Sequence, residues 1–303
     1  MAIQYLTYQQ INRQKWDDCI TNAGNGLIYG YSVYLDTMAG NWDALVLNDY
    51  DAVMPLTWRK KYGIRYLYQP FFTASLGVFG NNISATILND FLQAIPANFK
   101  YWDIYLNAGN YFELPLFKLY ERANYILPMQ NNYQQLFQEF RNNIKRNIVK
   151  AKNLQLLVEK NIPVDKVIEL AKEQASSYSS LSNEDYERFE KLYHHFHQNK
   201  QAITYGVYTP QKQLVASCVF FFSHKRAYYI LAANHPNGKT LGASHALIAA
   251  FIEEHAGQNM LLDFEGSDIS SLAFFYSSFG ALTEKYVGLN NNKLPRLLRL
   301  FKK

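Results

Sequence analysis

The stretch Asn234-His-Pro-Asn-Gly-Lys-Thr-Leu-Gly-Ala-Ser244 separates two segments of different hydrophobic period, and its setting decides the fold. Before it, residues 202–208, 214–222 and 227–233 are apolar runs of strand length, with turns at 209–212 and 223–226, which predicts a three-stranded meander. After it, residues 243–255 carry a helical period and 260–265 read as a closing strand. A glycine-containing connection from strand to helix brings backbone N–H groups to a helix N-terminus, where unsatisfied amides and the positive end of the dipole suit a pyrophosphate. An ordinary strand-to-helix turn, with Gly238 making the bend and Ser244 near the cap, would use the same residues.

Working outward, the first half repeats this order. Residues 44–47 and 52–58 read as strands around Asn48-Asp-Tyr-Asp51, a turn at 60–63 precedes a strand from Arg65, a helical period over 83–95 stops at Pro96, and 101–106 is a strand. Asp49 and Pro210 in the turns, Ile83 and Ala243 at the helix starts, and Asp103 and Asp263 in the closing strands recur at one offset of about 160 residues. Three ordered elements at a shared offset predict a duplicated α/β (α+β) domain. Its copies are residues 1–127 and 128–303, each a mixed, mostly antiparallel sheet flanked by helices, with the candidate active site in the second. A chain of 303 residues accommodates two domains of about 150.

Composition narrows the class. Hydrophobic residues make up 49%, with 24 Tyr, 20 Phe and 4 Trp, enough apolar surface to offset chain ordering and to exclude wholesale disorder. The start, MAIQYLTYQQINRQKWDDC, lacks the basic and apolar runs of a secretory signal, and the longest apolar stretches are too short to span a bilayer, so the expectation is a cytoplasmic protein. Cys19 and Cys218 have no CxxC spacing, which argues against a disulfide framework or zinc site and for two buried thiols. Residues 1–127 carry 9 Lys and Arg against 10 Asp and Glu, whereas 128–303 carry 21 against 15, so an anionic partner is expected at the second half.

Much of that positive charge lies in residues 133–153, which read as one long helix with Phe137, Phe140, Ile144, Ile148 and Ala151 as its buried stripe. Arg141, Lys145 and Lys152 flank the stripe as candidate polyanion contacts, with Arg146 and Lys150 on the opposite face; a solvated basic face is the common alternative. Further helices are predicted over 164–178 and 184–197. His194 and His197 share a helical face, but no neighbouring pattern completes a four-ligand set, so no metal is expected.

On Lys239-Thr-Leu-Gly-Ala-Ser244 the chain resembles the GNAT superfamily of acyl-CoA-dependent transferases, whose phosphate loop reads Arg/Gln-x-x-Gly-x-Gly/Ala; here Lys stands first and Ser last. On Arg141-Asn-Asn-Ile-Lys-Arg-Asn-Ile-Val-Lys-Ala-Lys152, Asp263-Phe-Glu-Gly-Ser267 and Phe275-Tyr-Ser-Ser-Phe-Gly-Ala281 it is similar to the FemAB-like group. These are tandem GNAT-fold proteins whose best-known members transfer amino acids from aminoacyl-tRNA onto peptidoglycan precursors. The resemblance implies two tandem GNAT-like domains and an acyl or aminoacyl transferase. The donor, acyl-CoA or aminoacyl-tRNA, would lie against Lys239, Gly242, Ala243 and Ser244, and the acceptor would be a small or peptide-like amine. Acyl-CoA would enter as a substrate, with no tightly bound cofactor.

The residues support particular roles in such a transfer. On a strand, Asp263 and Glu265 share a face, so two carboxylates would converge at a strand end and one could take the proton of an attacking amine. Capping the next helix or pairing with the basic helix would equally occupy them. Tyr276, in a helix expected over 270–279, matches the tyrosine that protonates the departing thiolate in GNAT enzymes, and the same position suits an aromatic core residue. The leading expectation is direct attack, with the carbonyl oxygen held by a backbone N–H near 231–233, Glu265 as base or orienting group and Tyr276 as acid. A non-catalytic binding protein that keeps the tandem fold is the alternative. Leu294-Pro-Arg-Leu-Leu-Arg-Leu-Phe-Lys-Lys303 also raises a membrane-surface reading, less favoured than a terminal element packed on the body.

Overall fold

The computed structural model describes residues 2–175, 181–266 and 268–294, and of Lys239 the backbone only. The expected helix end at 176–178, Ser267, the Lys239 side chain and the tail beyond Leu294 lie outside the described residues. In chain order the elements are β1 (Ile3–Leu6), α1 (Arg13–Asn22), α2 (Ser32–Met38), β2 (Trp42–Leu47), β3 (Ala52–Lys61), β4 (Ile64–Tyr68), β5 (Phe79–Gly80), α3 (Ala85–Ala94), β6 (Phe99–Leu106) and β7 (Leu119–Pro128). There follow α4 (Tyr133–Glu139), α5 (Asn142–Asn153), β8 (Leu157–Lys160), α6 (Val164–Ala175), α7 (Asn183–Gln198), β9 (Ala202–Tyr208), β10 (Leu214–Ser223) and β11 (Arg226–Asn234). The chain ends through α8 (Pro236–Leu241), α9 (Ala243–His255), β12 (Leu261–Asp263), α10 (Ser270–Ser277) and β13 (Leu282–Asn292).

Two compact units result, Met1–Ala123 with Lys285–Lys303, and Asn124–Glu284. The sequence reading kept 128–303 together. Instead β13 leaves the second unit after Glu284 and pairs antiparallel with β6, placing Val287 and Leu289 in the core of the first. In that unit β1 to β4 form an antiparallel meander, β6 joins β4 in parallel, and β13 follows β6. Leu88, Phe91 and Leu92 of α3 and Trp102, Ile104 and Leu106 of β6 belong to one hydrophobic core, and each such aromatic or leucine side chain contributes about 1.5–3 kcal/mol by leaving water.

In the second unit an antiparallel meander, a helix and a closing strand again follow in that order. Strands β8 to β11 are antiparallel, α9 follows, and β12 joins β11 in parallel and β7 antiparallel. On one face α9 packs Leu247, Phe251 and Ile252 against Phe220, whose ring stacks on Phe251 with centroids 3.8 Å apart. On the other, Phe189 of α7 stacks on Phe221 of β10 at 5.6 Å. Neighbouring strand residues facing opposite sides thus serve two helical layers, which is why β10 reads as a continuous apolar run.

Three local expectations are corrected. Residues 133–153 are two helices, because Phe140 and Arg141 are both extended and the Arg141 N–H donates to Ser278 O at 2.9 Å. The break lets Phe140 reach Phe279, ring centroids 5.2 Å apart, and it removes the single helical frame in which Arg141 was placed. Residues 8–23, which as a sequence read as one amphipathic helix, are a short 3₁₀ turn followed by α1, whose N-cap Asn12 accepts from Lys15 N. Cys218 is buried, but Cys19 is only half-buried; burial and Asp51 push its thiol up to about 11. Among the described residues no helix is long and apolar enough to cross a membrane.

Candidate functional site

Strands β11 and β12 are paired only from Arg226–Tyr228 to Leu261–Asp263. Then β12 ends, whereas β11 runs on to Asn234 with β10 as its ladder partner. Val219 pairs with Leu231 and Phe220 with Tyr229, so Ile230 is an inserted residue, a bulge that bends β11 where it loses β12. The parting leaves a notch bounded by residues 229–234 on one side and the chain leaving β12 on the other. Bulges and diverging parallel strands both place backbone amides beside side chains from different elements.

The β12 side of the notch is set by a charge cluster. Asp263, 3% exposed, accepts from Arg226 Nη1 at 2.6 Å and from the Glu265 N–H at 2.8 Å. Arg226 also pairs with Glu284 at 2.9 Å, and Asn124 donates to the same carboxylate at 3.1 Å. Burial alone would lower the Arg226 pKa, yet Asp263 and Glu284 raise it; burial alone would raise Glu284, yet the Arg226 hydrogen bonds hold it below its ordinary 4.5. Both Asp263 oxygens are thereby occupied in holding structure.

Glu265 does not share a strand face with Asp263. It lies beyond β12 at φ 61, followed by Gly266 at φ 78, and a carboxylate residue kept in the left-handed region by its neighbours is a strained position of the kind found at functional sites. Its charge reaches Tyr276. The buried Tyr276 ring stacks on Phe264 with centroids 4.6 Å apart, and burial followed by the Glu265 carboxylate raises the phenol well above its ordinary value. Tyr276 therefore stays protonated at neutral pH and keeps an O–H able to donate. The fold thus brings Glu265 and Tyr276 together and assigns Asp263 to their support.

Across the notch, the expected loop 234–244 is largely the short helix α8, capped by His235 with Pro236 at its first position. Gly242, at φ 77, ends α8 and starts α9, and a Cβ there would stand 2.7 Å from Asn147 O of α5. Its lack of a side chain serves packing of α9 on the basic helix. Ala243 is buried, and the Ser244 hydroxyl donates to Asn234 Oδ1, tying the first turn of α9 to the end of β11. The backbone of Lys239 lies in α8.

Of the basic residues, Arg141 lies 5.1 Å over the Phe274 ring, and Lys145 donates to Gln138 O at 2.9 Å. Lys152 is exposed in the last turn of α5. His197 Nδ1 lies 3.1 Å from Ala202 O and its ring stacks on Tyr193, while His194 lies 3.8 Å from Glu190.

Sequence reasoning passed over His245, in the first turn of α9. Its Nδ1 is buried without a hydrogen-bond partner among the described residues, its ring meets Phe275 edge-on at 5.0 Å, and burial lowers its pKa to about 4. It is a neutral imidazole at pH 7, and nothing in residues 243–255 as a sequence separates it from an ordinary helix histidine. Arg226 and Glu284 were also passed over, since 58 residues separate them.

No protein-family model matches the chain, and no curated protein matches it by sequence. Solved structures do. FemX is similar over 100% of both chains at 13% identity, with a TM-score of 0.65. A conserved protein of unknown function from Bacteroides thetaiotaomicron VPI-5482 is similar over 92% of this chain and 97% of its own, at 14% identity and a TM-score of 0.59. L-PGS from Bacillus licheniformis is similar over 96% and 94%, at 10% identity and a TM-score of 0.56. The chain therefore has the fold seen in FemX and L-PGS, the fold that its resemblance to the FemAB-like group implies.

Proposed function

We propose that the chain is an acyl or aminoacyl transferase built from two tandem GNAT-like domains, which moves an acyl group from an activated ester or thioester to an amine. The observation that carries this reading is the notch where β11 runs on past the end of β12, with Glu265 and Tyr276 on one side and the start of α9 on the other. The acyl carbonyl would accept from a β11 amide near residues 231–233, Glu265 would orient the amine or take its proton, and Tyr276 would donate to the leaving oxygen or sulfur. The donor's phosphates would lie near Lys239, Gly242, Ala243 and Ser244. A cytoplasmic location and acyl-CoA as a substrate, with no tightly bound cofactor, belong to the same reading.

The test is transfer of labelled acyl or aminoacyl groups from acyl-CoA and from aminoacyl-tRNA, in parallel, to a panel of amines. Glu265→Gln is expected to lower kcat by about 10²-fold with the fold intact, and Tyr276→Phe to lower it less. Donor binding without transfer by the parent protein would instead support the non-catalytic reading.

If tRNA is the donor, replacing Arg141, Lys145 and Lys152 by Gln should weaken its binding and flatten the log–log salt dependence by about one unit per lost phosphate contact. Replacing Arg146 and Lys150 should do less. Filter binding at two salt concentrations measures both, and equal effects from the two sets would leave only diffuse charge.

A further inference from the structure

We propose that the tip of the β3–β4 hairpin, Lys60-Lys-Tyr-Gly63, docks the first unit on an anionic lipid surface. The pairing makes the hairpin project. Strand β3 is followed by β2 only as far as Thr57, and β4 meets β6 only from Arg65, so residues 60–64 extend past both neighbouring strands. Lys61 pairs with Ile64, which leaves Tyr62 and Gly63 as a two-residue turn, at φ 50 and 80. Such a turn ordinarily takes Asn-Gly or Asp-Gly, because those residues enter the left-handed region cheaply. Tyr62 lacks that freedom, and packing does not hold it there: it is 88% exposed, with Lys61 Nζ 5.5 Å from the ring centroid. A large aromatic kept at a strained, exposed apex is the observation that calls for a partner.

Charge points the same way. No Asp or Glu occurs between Asp51 and Asp90, and four of the nine Lys and Arg of residues 1–127 are Arg59, Lys60, Lys61 and Arg65. Lys60 and Arg65 are direct cross-strand partners, a like-charge pair that costs stability in a sheet. The guanidiniums lean back from the tip. Arg59 lies 4.3 Å over the Tyr68 ring and Arg65 4.3 Å over Trp58, with Asp43 4.0 Å away. Lys60 and Lys61 are exposed, and among the described residues neither is in an ion pair.

Two ammonium groups beside one phenol ring at an apex fit a bilayer interface. Tyrosine rings settle at headgroup level, and lysine stems carry point charges to anionic headgroups without needing a fixed geometry. Nucleic acid fits less well. It is held by many phosphate contacts along a track, and the planar guanidiniums that would serve them are turned onto aromatic rings here. Residues 1–127 as a whole, with 9 Lys and Arg against 10 Asp and Glu, offer no such track. A bilayer needs only the tip, where each lysine strengthens binding about fivefold.

The experiment sediments the full chain with vesicles of phosphatidylcholine alone and of phosphatidylcholine mixed with phosphatidylserine, at low and at physiological salt. Binding to the anionic vesicles only is expected, weaker as salt rises. Lys60→Gln with Lys61→Gln should weaken it about 25-fold, about fivefold for each charge. Tyr62→Asn, which suits the turn and removes the ring, should weaken it severalfold and melt no lower than the parent. Arg146→Gln with Lys150→Gln removes the same charge from α5 and should change it much less. The proposal is overturned if the parent does not sediment with anionic vesicles, if binding survives the double lysine change, or if the α5 pair costs as much. It is overturned as well if Tyr62→Asn binds as the parent does or melts well below it. Loss of poly(U) binding in the hairpin variants, with vesicle binding kept, would assign the tip to nucleic acid instead. The hairpin lies wholly within the first unit, so failure here leaves the transferase reading to its own test.

Discussion

Replacing Arg226 by Ala is expected to destabilise the chain by about 3–5 kcal/mol near neutral pH, because it strands two carboxylates that the fold has taken out of water. Asp263 and Glu284 both lie against this guanidinium, at 2.6 and 2.9 Å. The pH dependence has a definite sign. In the parent, Glu284 titrates below its ordinary 4.5, so its share of stability is complete above that value and is lost as the pH falls through the lower folded value. Without Arg226 that carboxylate takes up a proton more readily, so the deficit should be greatest at neutral pH and shrink below about pH 5. Adding Glu284→Gln to the Arg226→Ala protein should recover part of the loss, since one stranded charge is gone. Denaturant melts of the three proteins at two pH values measure this, and a loss under about 1 kcal/mol would mean that the cluster is solvated. On the proposed transferase function, activity should fall as well, because Asp263 accepts the N–H of Glu265 and helps hold that residue at φ 61.

What was legible in the sequence follows the range of the interactions involved. Helix α9 begins and ends where the period over 243–255 puts it, and the turn at Asn48-Asp-Tyr-Asp51 joins β2 to β3, because both depend on neighbours within a few residues. The same short-range signals misread residues 140–141, since the break there is made by a carbonyl at Ser278 and a ring at Phe279 that no local pattern can include. Asp263 and Glu265 were found as a pair and misjudged as a face. Strand alternation holds only while β12 has a partner, and it stops at Asp263. The notch itself rests on an unequal pairing of two strands more than 20 residues apart, so no window of sequence contains it.

Gly242→Ala is expected to cost about 2–5 kcal/mol, and the cause is the basic helix. Two terms add. Any L-residue held near φ 77 pays roughly 1–2 kcal/mol for the left-handed region, and a Cβ standing 2.7 Å from Asn147 O forces α5 and α9 apart, at about 1–3 kcal/mol. Gly257 separates them, because it sits at φ 83 with nothing within 4 Å of where its Cβ would go. Gly257→Ala should therefore show the backbone term alone, and the difference between the two variants measures the packing of α9 on α5. Reading the glycine as room for donor phosphates leads to the opposite expectation, an intact fold with weakened donor binding even for Gly242→Val. The overlap with Asn147 overturns the first half of that expectation. Equal stability losses in the two alanine variants, by denaturant melts, would restore it. A much larger loss at Gly242 would mean that the residue reaches the site by fixing where α9 starts, and that substitutions of Ser244, whose hydroxyl faces Asn234, are the better probe of the donor.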